Sequence, residues 1–292
     1  MTAKRPKKKP PALPAIPPQA WGPRDYQRCI FDARSGLYVP PRGGPDVTLG
    51  GSNGWAAGEA CDRFLLIWHR RGGKDRTGLE LVRKEADERV GSYWHLYPLH
   101  IQAERAIWNG VDPQTKTRLL ELVFPLAMRA EVENRNMFMR FRNGSTYQLL
   151  GSDKYDRLVG SNVLGVLFSE WALCDPRAWP YIMPILLENG GWAAFITTYR
   201  GRNHAYQMVK RLAPSKDWYV DVRTIRDTTR ADGTPVVSMV DVEAERESLI
   251  ALHGAARADA LIQEEFFCNP MASLPGSVYG KAVASMLAEG RA

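Results

Sequence analysis

From residue 63 onward, short apolar runs alternate with polar or amphipathic stretches, and that alternation constrains the fold more than any other feature. The run RFLLIWH (63–69) is uniformly apolar over strand length, so it reads as a strand buried on both faces. A GGKD turn follows, then a helical stretch over about 75–88. SYWHLY (92–97) is a second strand, with helical residues at 101–108 behind it. LGVLFS (164–169) and WAAFITT (192–198) are further apolar strands, each trailed by a polar segment. Alternation of this kind predicts an α/β fold built on a mostly parallel sheet flanked by helices. The C-terminal ends of its strands should line one edge, where open α/β sheets bind ligands. MFMRFR (137–142) and STYQLLG (145–151) flank Asn143-Gly144, a strong hairpin signal, so an antiparallel pair is expected beside the parallel strands.

The flanking segments differ in character. Residues 1–20 are rich in Pro and Lys and predict an extended, disordered basic leader. Pro23 then sits at a first-turn position ahead of a short helix over 24–35, and residues 39–58 read as a Pro/Gly-dense loop. After Asn203 come a helix, a strand (DWYVDVRT), a turn at Asp232-Gly233, and two helices starting near Val242 and Arg257. The expected organisation is a core over 21–215, a small helical C-terminal part over 216–273, and a final segment over 274–292.

Composition excludes some classes. No apolar run approaches the roughly 20 residues that span a bilayer, so a membrane role is not expected. The four cysteines, Cys29, Cys61, Cys174 and Cys268, are far apart and form no CxxC pair, which fits reduced cytosolic thiols. The net charge of +7 suggests an anionic partner, but Lys4, Arg5, Lys7, Lys8 and Lys9 all lie in the leader. The remainder is only weakly basic, so charge contributes little to a nucleic-acid reading.

The chemistry is concentrated at strand ends. Between the first strand and its helix lies Trp68-His69-Arg70-Arg71-Gly72-Gly73-Lys74-Asp75. A glycine-rich turn there lets backbone N–H groups wrap a triphosphate at a helix N-terminus, while a lysine reaches the β- and γ-phosphates. Two departures from a standard P-loop stand out: Trp68 replaces the first glycine, and Asp75 replaces the Ser/Thr that helps hold Mg²⁺. Taken alone, GGK after a strand also fits a tight basic turn. The matching Walker B strand ends in Ser169-Glu170, with serine where an aspartate is expected. One carboxylate and one hydroxyl are still supplied, with positions exchanged, and both are hard oxygen ligands suited to Mg²⁺. Glu170 is placed to polarise the attacking water.

Four motifs together resemble the large terminase subunit of tailed bacteriophages, the DNA-packaging ATPase. Pro23-Arg24-Asp25-Tyr26-Gln27 resembles its adenine-reading motif, and HRRGGKD is similar to its variant Walker A loop. Leu167-Phe168-Ser169-Glu170-Trp171-Ala172 resembles its Walker B with the catalytic glutamate. Ile196-Thr197-Thr198-Tyr199-Arg200-Gly201-Arg202-Asn203-His204 is similar to its coupling motif and the PRGxNH that trails it, with Tyr199 where proline is usual. The resemblance covers about residues 21–290.

That resemblance implies a P-loop fold of the RecA-like (ASCE) type and an ATP-hydrolysing motor that moves double-stranded DNA into a procapsid. It implies that Arg24 and Gln27 contact adenine, that Arg71, Gly72, Gly73 and Lys74 hold phosphates, and that Asp75 and Ser169 hold magnesium. Glu170 would be catalytic, with Arg70 at the γ-phosphate and Arg157 as a candidate arginine donated to a neighbouring subunit. Thr197 and Thr198 would couple phosphate release to motion. The implied partners are the portal protein, the small terminase subunit and further copies of the chain in a ring. The implied location is the host cytoplasm, transiently at the procapsid portal, and not the mature virion. Gln263-Glu264-Glu265-Phe266 resembles the close of the ATPase region, where a lid or linker subdomain lies. Pro275-Gly276-Ser277-Val278-Tyr279-Gly280-Lys281 resembles the start of the nuclease domain, of which too few carboxylates follow for DNA cleavage to be expected. Two other readings stay open: a helicase-like ATPase, and a non-catalytic nucleotide-binding module, for which the irregular Lys74-Asp75 and Ser169 would be natural.

Overall fold

The computed structural model describes residues 21–37, 60–158 and 162–272. The expected leader, the loop at 39–58 and the segment at 274–292 lie outside the described residues.

A short 3-10 turn, Asp25–Gln27, opens the described chain and runs into α1 (Arg28–Arg34). Strand β1 (Arg63–Trp68) leads into α2 (Lys74–Glu88), and β2 (Ser92–Tyr97) into α3 (His100–Ala103), which continues as a π turn over Glu104–Trp108. After α4 (Leu119–Val123) come β3 (Arg129–Glu133), β4 (Phe138–Phe141) and β5 (Thr146–Gly151). A 3-10 segment, Ser152–Leu158, precedes β6 (Gly165–Ser169), followed by α5 (Ala178–Asn189), β7 (Trp192–Thr197), α6 (His204–Leu212) and β8 (Tyr219–Arg223). Helices α7 (Met239–His253) and α8 (Ala255–Phe267) close the described chain.

All eight strands form one sheet in the order β3-β4-β5-β2-β6-β7-β1-β8. From β5 to β8 every pairing is parallel, as the apolar runs predict; β4 pairs antiparallel with both β3 and β5. The Asn143-Gly144 hairpin therefore joins the sheet through β5, which lies parallel to β2. Strand β8 lies beyond the boundary expected at residue 215, yet it is the edge strand beside β1, so the main sheet continues to Arg223.

Alternation along β1 sends Phe64, Leu66 and Trp68 into one apolar layer, with Leu79 and Val82 of α2, and sends Leu65 and Ile67 into the other, with Ile182 of α5 and Val209 of α6. Helices thus cover both faces, and the β1–α2 junction opens at the strands' C-terminal edge. Helices α7 and α8 share a small cluster of their own around Ile225, Val242 and Ile262. All four cysteines are buried and free. Among the described residues no helix is long and apolar enough to cross a membrane.

Candidate nucleotide site at the strand ends

The loop between β1 and α2 is built by two left-handed residues, Arg71 (φ 69°) and Gly73 (φ 75°). At position 73 a side chain is excluded twice over: the backbone favours glycine, and an added Cβ would lie 2.7 Å from the Gln27 amide nitrogen. His69 begins the loop, fully buried, with Nδ1 2.6 Å from the Arg70 carbonyl and Nε2 2.7 Å from the Thr228 hydroxyl. A carbonyl can only accept, so Nδ1 carries the proton and Thr228 donates to Nε2. Burial lowers the His69 pKa to about 4, and the ring is neutral. Lys74 is nearly buried, and its ammonium donates to the carbonyls of Trp68 (3.1 Å) and His69 (3.2 Å) and to Thr198 Oγ1 (3.0 Å). The Thr198 hydroxyl in turn donates to the Trp68 carbonyl at 3.1 Å, so the loop lysine and the end of β7 share one network.

Residues 24–27 are pinned against this loop. Gln27 Oε1 accepts from the Arg24 backbone N–H at 3.0 Å, while the Arg24 guanidinium donates to Tyr26 Oη at 2.9 Å. Tyr26 Oη then donates to the Gly72 carbonyl at 2.8 Å. Under the tyrosine ring lies Arg223, its guanidinium carbon 5.8 Å from the centroid, paired with the fully buried Asp221, which also accepts from Trp68 Nε1 at 2.8 Å. Arg24 and Gln27 thus lie beside Gly73 of the loop. Tyr26 is an additional connector, marked in sequence only by its place in PRDYQ.

The exchanged pair comes together at the next strand end. Ser169 Oγ donates to Asp75 Oδ1 at 2.8 Å. The cause is local: Gly78, one turn on from Asp75, has no side chain, and an added Cβ there would lie 2.7 Å from Leu167 Cδ2. Helix α2 consequently lies close over β6, and since Leu167 and Ser169 share a strand face, Asp75 falls over Ser169. Tyr97 Oη also donates to Asp75 Oδ1, at 2.7 Å. Behind Ser169 stands His95, fully buried, with Nε2 2.7 Å from Ser169 Oγ and Nδ1 3.0 Å from Tyr147 Oη. His95 and Tyr97 lie within an apolar strand run and carry no motif of their own; their signal in the sequence is their spacing, two residues apart on one strand face. Among the described residues no three His, Cys, Asp or Glu side chains group as a metal cluster.

Glu170, immediately after β6, adopts φ 52°, a left-handed conformation that is strained for a residue with a side chain. Burial raises its carboxyl pKa above the ordinary 4.5, while the nearby Lys74 opposes the shift. Thr197 Oγ1 accepts from the Ala172 backbone N–H at 3.1 Å, tying β7 to the segment that follows Glu170.

Arg70 and Arg71 diverge from the loop. Arg70 is anchored to the last helix: its backbone N–H donates to the Glu265 carbonyl at 2.8 Å, and its guanidinium lies 3.5 Å from the Glu265 carboxylate. Arg200 also pairs with Glu265, and Glu264 accepts from the Gly201 backbone N–H at 2.6 Å. Helix α8 therefore grips both the loop and the segment after β7. The Arg157 backbone lies within Ser152–Leu158, and its side chain lies outside the described structure.

The sheet is mostly parallel, with the β1–α2 loop at the strands' C-terminal edge and β7 lying between β1 and β6, the strand that Glu170 follows. No family model and no curated protein sequence matches the chain. Solved structures do. The chain is similar to the large terminase ATPase domain of Thermus phage P74-26, with a TM-score of 0.55 and 16% identity over 85% of this chain and 98% of that one. It is also similar to the large terminase from a second thermophilic bacteriophage, solved in complex with ADP, with a TM-score of 0.54 and 14% identity over 72% of this chain. The match spans 48% of that longer protein. At these identities the likeness establishes the fold: that of large terminase ATPase domains.

Proposed function

We propose that this chain is the ATPase motor region of a phage large terminase, hydrolysing ATP to drive double-stranded DNA into a procapsid. The observation that carries the reading is the convergence of Lys74, Asp75, Ser169, Glu170 and Thr198 at adjoining ends of β1, β6 and β7.

The donor set fits a nucleotide with its magnesium. Lys74 and the N–H groups at Arg71 and Gly73 suit a triphosphate at the start of α2, with the Gly72 N–H closing the loop onto the His69 carbonyl, and Arg24 and Gln27 would meet an adenine beside the loop. Asp75 and Ser169 offer a carboxylate and a hydroxyl, and magnesium commonly takes one or two protein carboxylates, its remaining positions going to phosphate and water. Bound there, the ion would neutralise charge on the phosphate oxygens. Glu170 accepts the proton of the attacking water, and water's oxygen forms the new bond to the γ-phosphorus as the bond to the β-bridging oxygen breaks. Arg70, released from Glu265, reaches the γ-phosphate. Thr198, bonded to Lys74, and Thr197, bonded to the segment after Glu170, pass the loss of phosphate into β7 and, through Arg200, into α7–α8, which serves as the lid.

The same reading assigns the chain a ring of copies at the portal, with Arg157 donated between neighbours, the small terminase subunit as a partner, and the host cytoplasm as its location. The test is ATP turnover and Mg²⁺-dependent nucleotide binding in the chain with Lys74→Ala and Glu170→Gln, with and without DNA and portal. Lys74→Ala should lose binding, and Glu170→Gln should keep binding and lose turnover. Equal rates and equal binding in all three proteins would leave a non-catalytic module, and strand unwinding by the isolated chain would point to a helicase.

A further inference from the structure

Replacing a Walker B aspartate by Ser169 creates a problem that a carboxylate does not have. A carboxylate presents acceptor oxygens whichever way it turns, whereas a hydroxyl is a rotor, and its single proton can point at the position a cation needs. Something must fix that rotor if Ser169 is to act as a ligand.

The structure supplies a chain of partners that does so, and its proton directions can be worked out. An ionised Asp75 only accepts, so the 2.8 Å contact places the Ser169 proton on Asp75. With its one proton used, Ser169 Oγ must accept in the 2.7 Å contact with His95, so His95 carries its proton on Nε2. The neutral ring then accepts at Nδ1, and the 3.0 Å contact makes Tyr147 the donor. Every bond from Tyr147 through His95 and Ser169 points toward the Asp75 carboxylate, an arrangement in which each bond polarises the next. Tyr147, His95 and Ser169 are fully buried, so water does not compete for them. Tyr97, whose hydroxyl also lies against Ser169, has its one proton on Asp75, so of the two lone pairs on Ser169 Oγ one is occupied by His95 and one remains.

We propose that His95 is a positioning residue for the Asp75–Ser169 pair: its Nε2–H, fixed in that tautomer by Tyr147, holds the Ser169 hydroxyl proton on Asp75 and leaves the serine oxygen free to face the metal of a bound nucleotide. The inference deepens the reading of Ser169 as a magnesium ligand and rests on it. A histidine in this position also explains how a hydroxyl can stand in for the missing aspartate without a second carboxylate in the site.

Two measurements test the proposal. The first needs neither nucleotide nor metal: imidazole ¹⁵N shifts of His95 in the full chain should show a neutral ring protonated at Nε2, and in Tyr147→Phe a mixture of tautomers. A ring protonated at Nδ1 in the unaltered chain overturns the proposal, because Ser169 would then have to donate to His95 and abandon Asp75. The second is calorimetric binding of ADP in EDTA and in Mg²⁺, across the wild-type chain, His95→Gln and His95→Leu. Partners that orient a metal ligand typically contribute about 10–100-fold to metal affinity. His95→Leu is expected to keep metal-free ADP affinity and lose at least about tenfold of the gain from Mg²⁺. His95→Gln, whose amide N–H can replace Nε2–H, should retain most of that gain. A full Mg²⁺ gain in His95→Leu, or an equal loss in both variants, overturns the positioning role. Failure of ADP to bind even the wild-type chain would instead count against the ATPase reading, and the tautomer measurement would still decide the hydrogen-bond directions.

Discussion

Helix propensity and packing make opposite predictions for Gly78→Ala, and the structure decides between them. Alanine in the middle of α2 should favour the helix by about 1 kcal/mol over glycine. In the folded chain, however, the new Cβ would sit 2.7, 2.8 and 3.3 Å from Leu167 Cδ2, Cδ1 and Cγ, and Leu167 is fully enclosed between β2 and β7 under α2. Overpacking of this kind costs about 1–3 kcal/mol, so the net result is a loss of about 1 kcal/mol. In a chain of this size that lowers Tm by about 2–4 °C. The double variant sharpens the test. Leu167→Ala alone should cost about 2–5 kcal/mol. Adding Gly78→Ala to it should then stabilise, because the opposing methyls are gone and only the propensity gain is left. Urea unfolding of the four proteins gives the coupling, and ADP titration in Mg²⁺ should show Gly78→Ala weakening the metal-dependent part as α2 lifts Asp75 from Ser169. A Gly78→Ala chain that melts at or above wild type, with no coupling to Leu167, would refute the account of why Asp75 meets Ser169.

Three other outcomes follow from the site. Burial raises the Glu170 pKa, so the fold favours the protonated acid, and stability is lost as pH rises from the ordinary 4.5 through the raised value; Glu170→Gln should melt higher than wild type at pH 7, with the difference vanishing below pH 4.5. His69 is held neutral with a pKa of about 4, so its contribution is present above pH 6.5 and lost as pH falls through 4; with His95 lowered to the same value, His69→Gln should remove roughly half of the acid-induced loss attributable to the two rings, read by urea unfolding at stepped pH. Tyr26→Phe deletes the bond to the Gly72 carbonyl and the acceptor for Arg24, and should weaken ADP binding by about 1 kcal/mol, roughly fivefold, in a fluorescence titration.

The parallel sheet was legible because its strands are buried on both faces and so are written as uninterrupted apolar runs. The hairpin was legible from Asn143-Gly144. Strand β3 was not: Arg129-Ala130-Glu131-Val132-Glu133 is a largely exposed edge, so its alternation is charged and small instead of apolar, and it forms because β4 is there to pair with. Helix α5 was not legible, because the stretch after β6 reads as a polar segment; it carries Pro180 in its opening turn and Pro184 inside it, which the helix accommodates. At the site, Lys74, Asp75, Ser169 and Glu170 could be named because each lies where a strand stops. The contacts of His95, Tyr97 and Glu265 could not, since they depend on which strands become neighbours and on where α8 returns.

The position of β1 in the sheet has a consequence for how the protein comes into being on the ribosome. Its two neighbours are β7 and β8: Arg63 aligns with Ala193, and Phe64 with Tyr219. At about 5–20 residues per second, the strand that carries the loop waits roughly 10–30 s for both partners to emerge. Contacts so distant in sequence are slow to close, and the loop has no hydroxyl of Thr198 to meet Lys74 before β7 is made. On the proposed function, nucleotide binding would therefore be acquired late by the nascent chain, and ATP added during refolding should report completion of the sheet and not its nucleation.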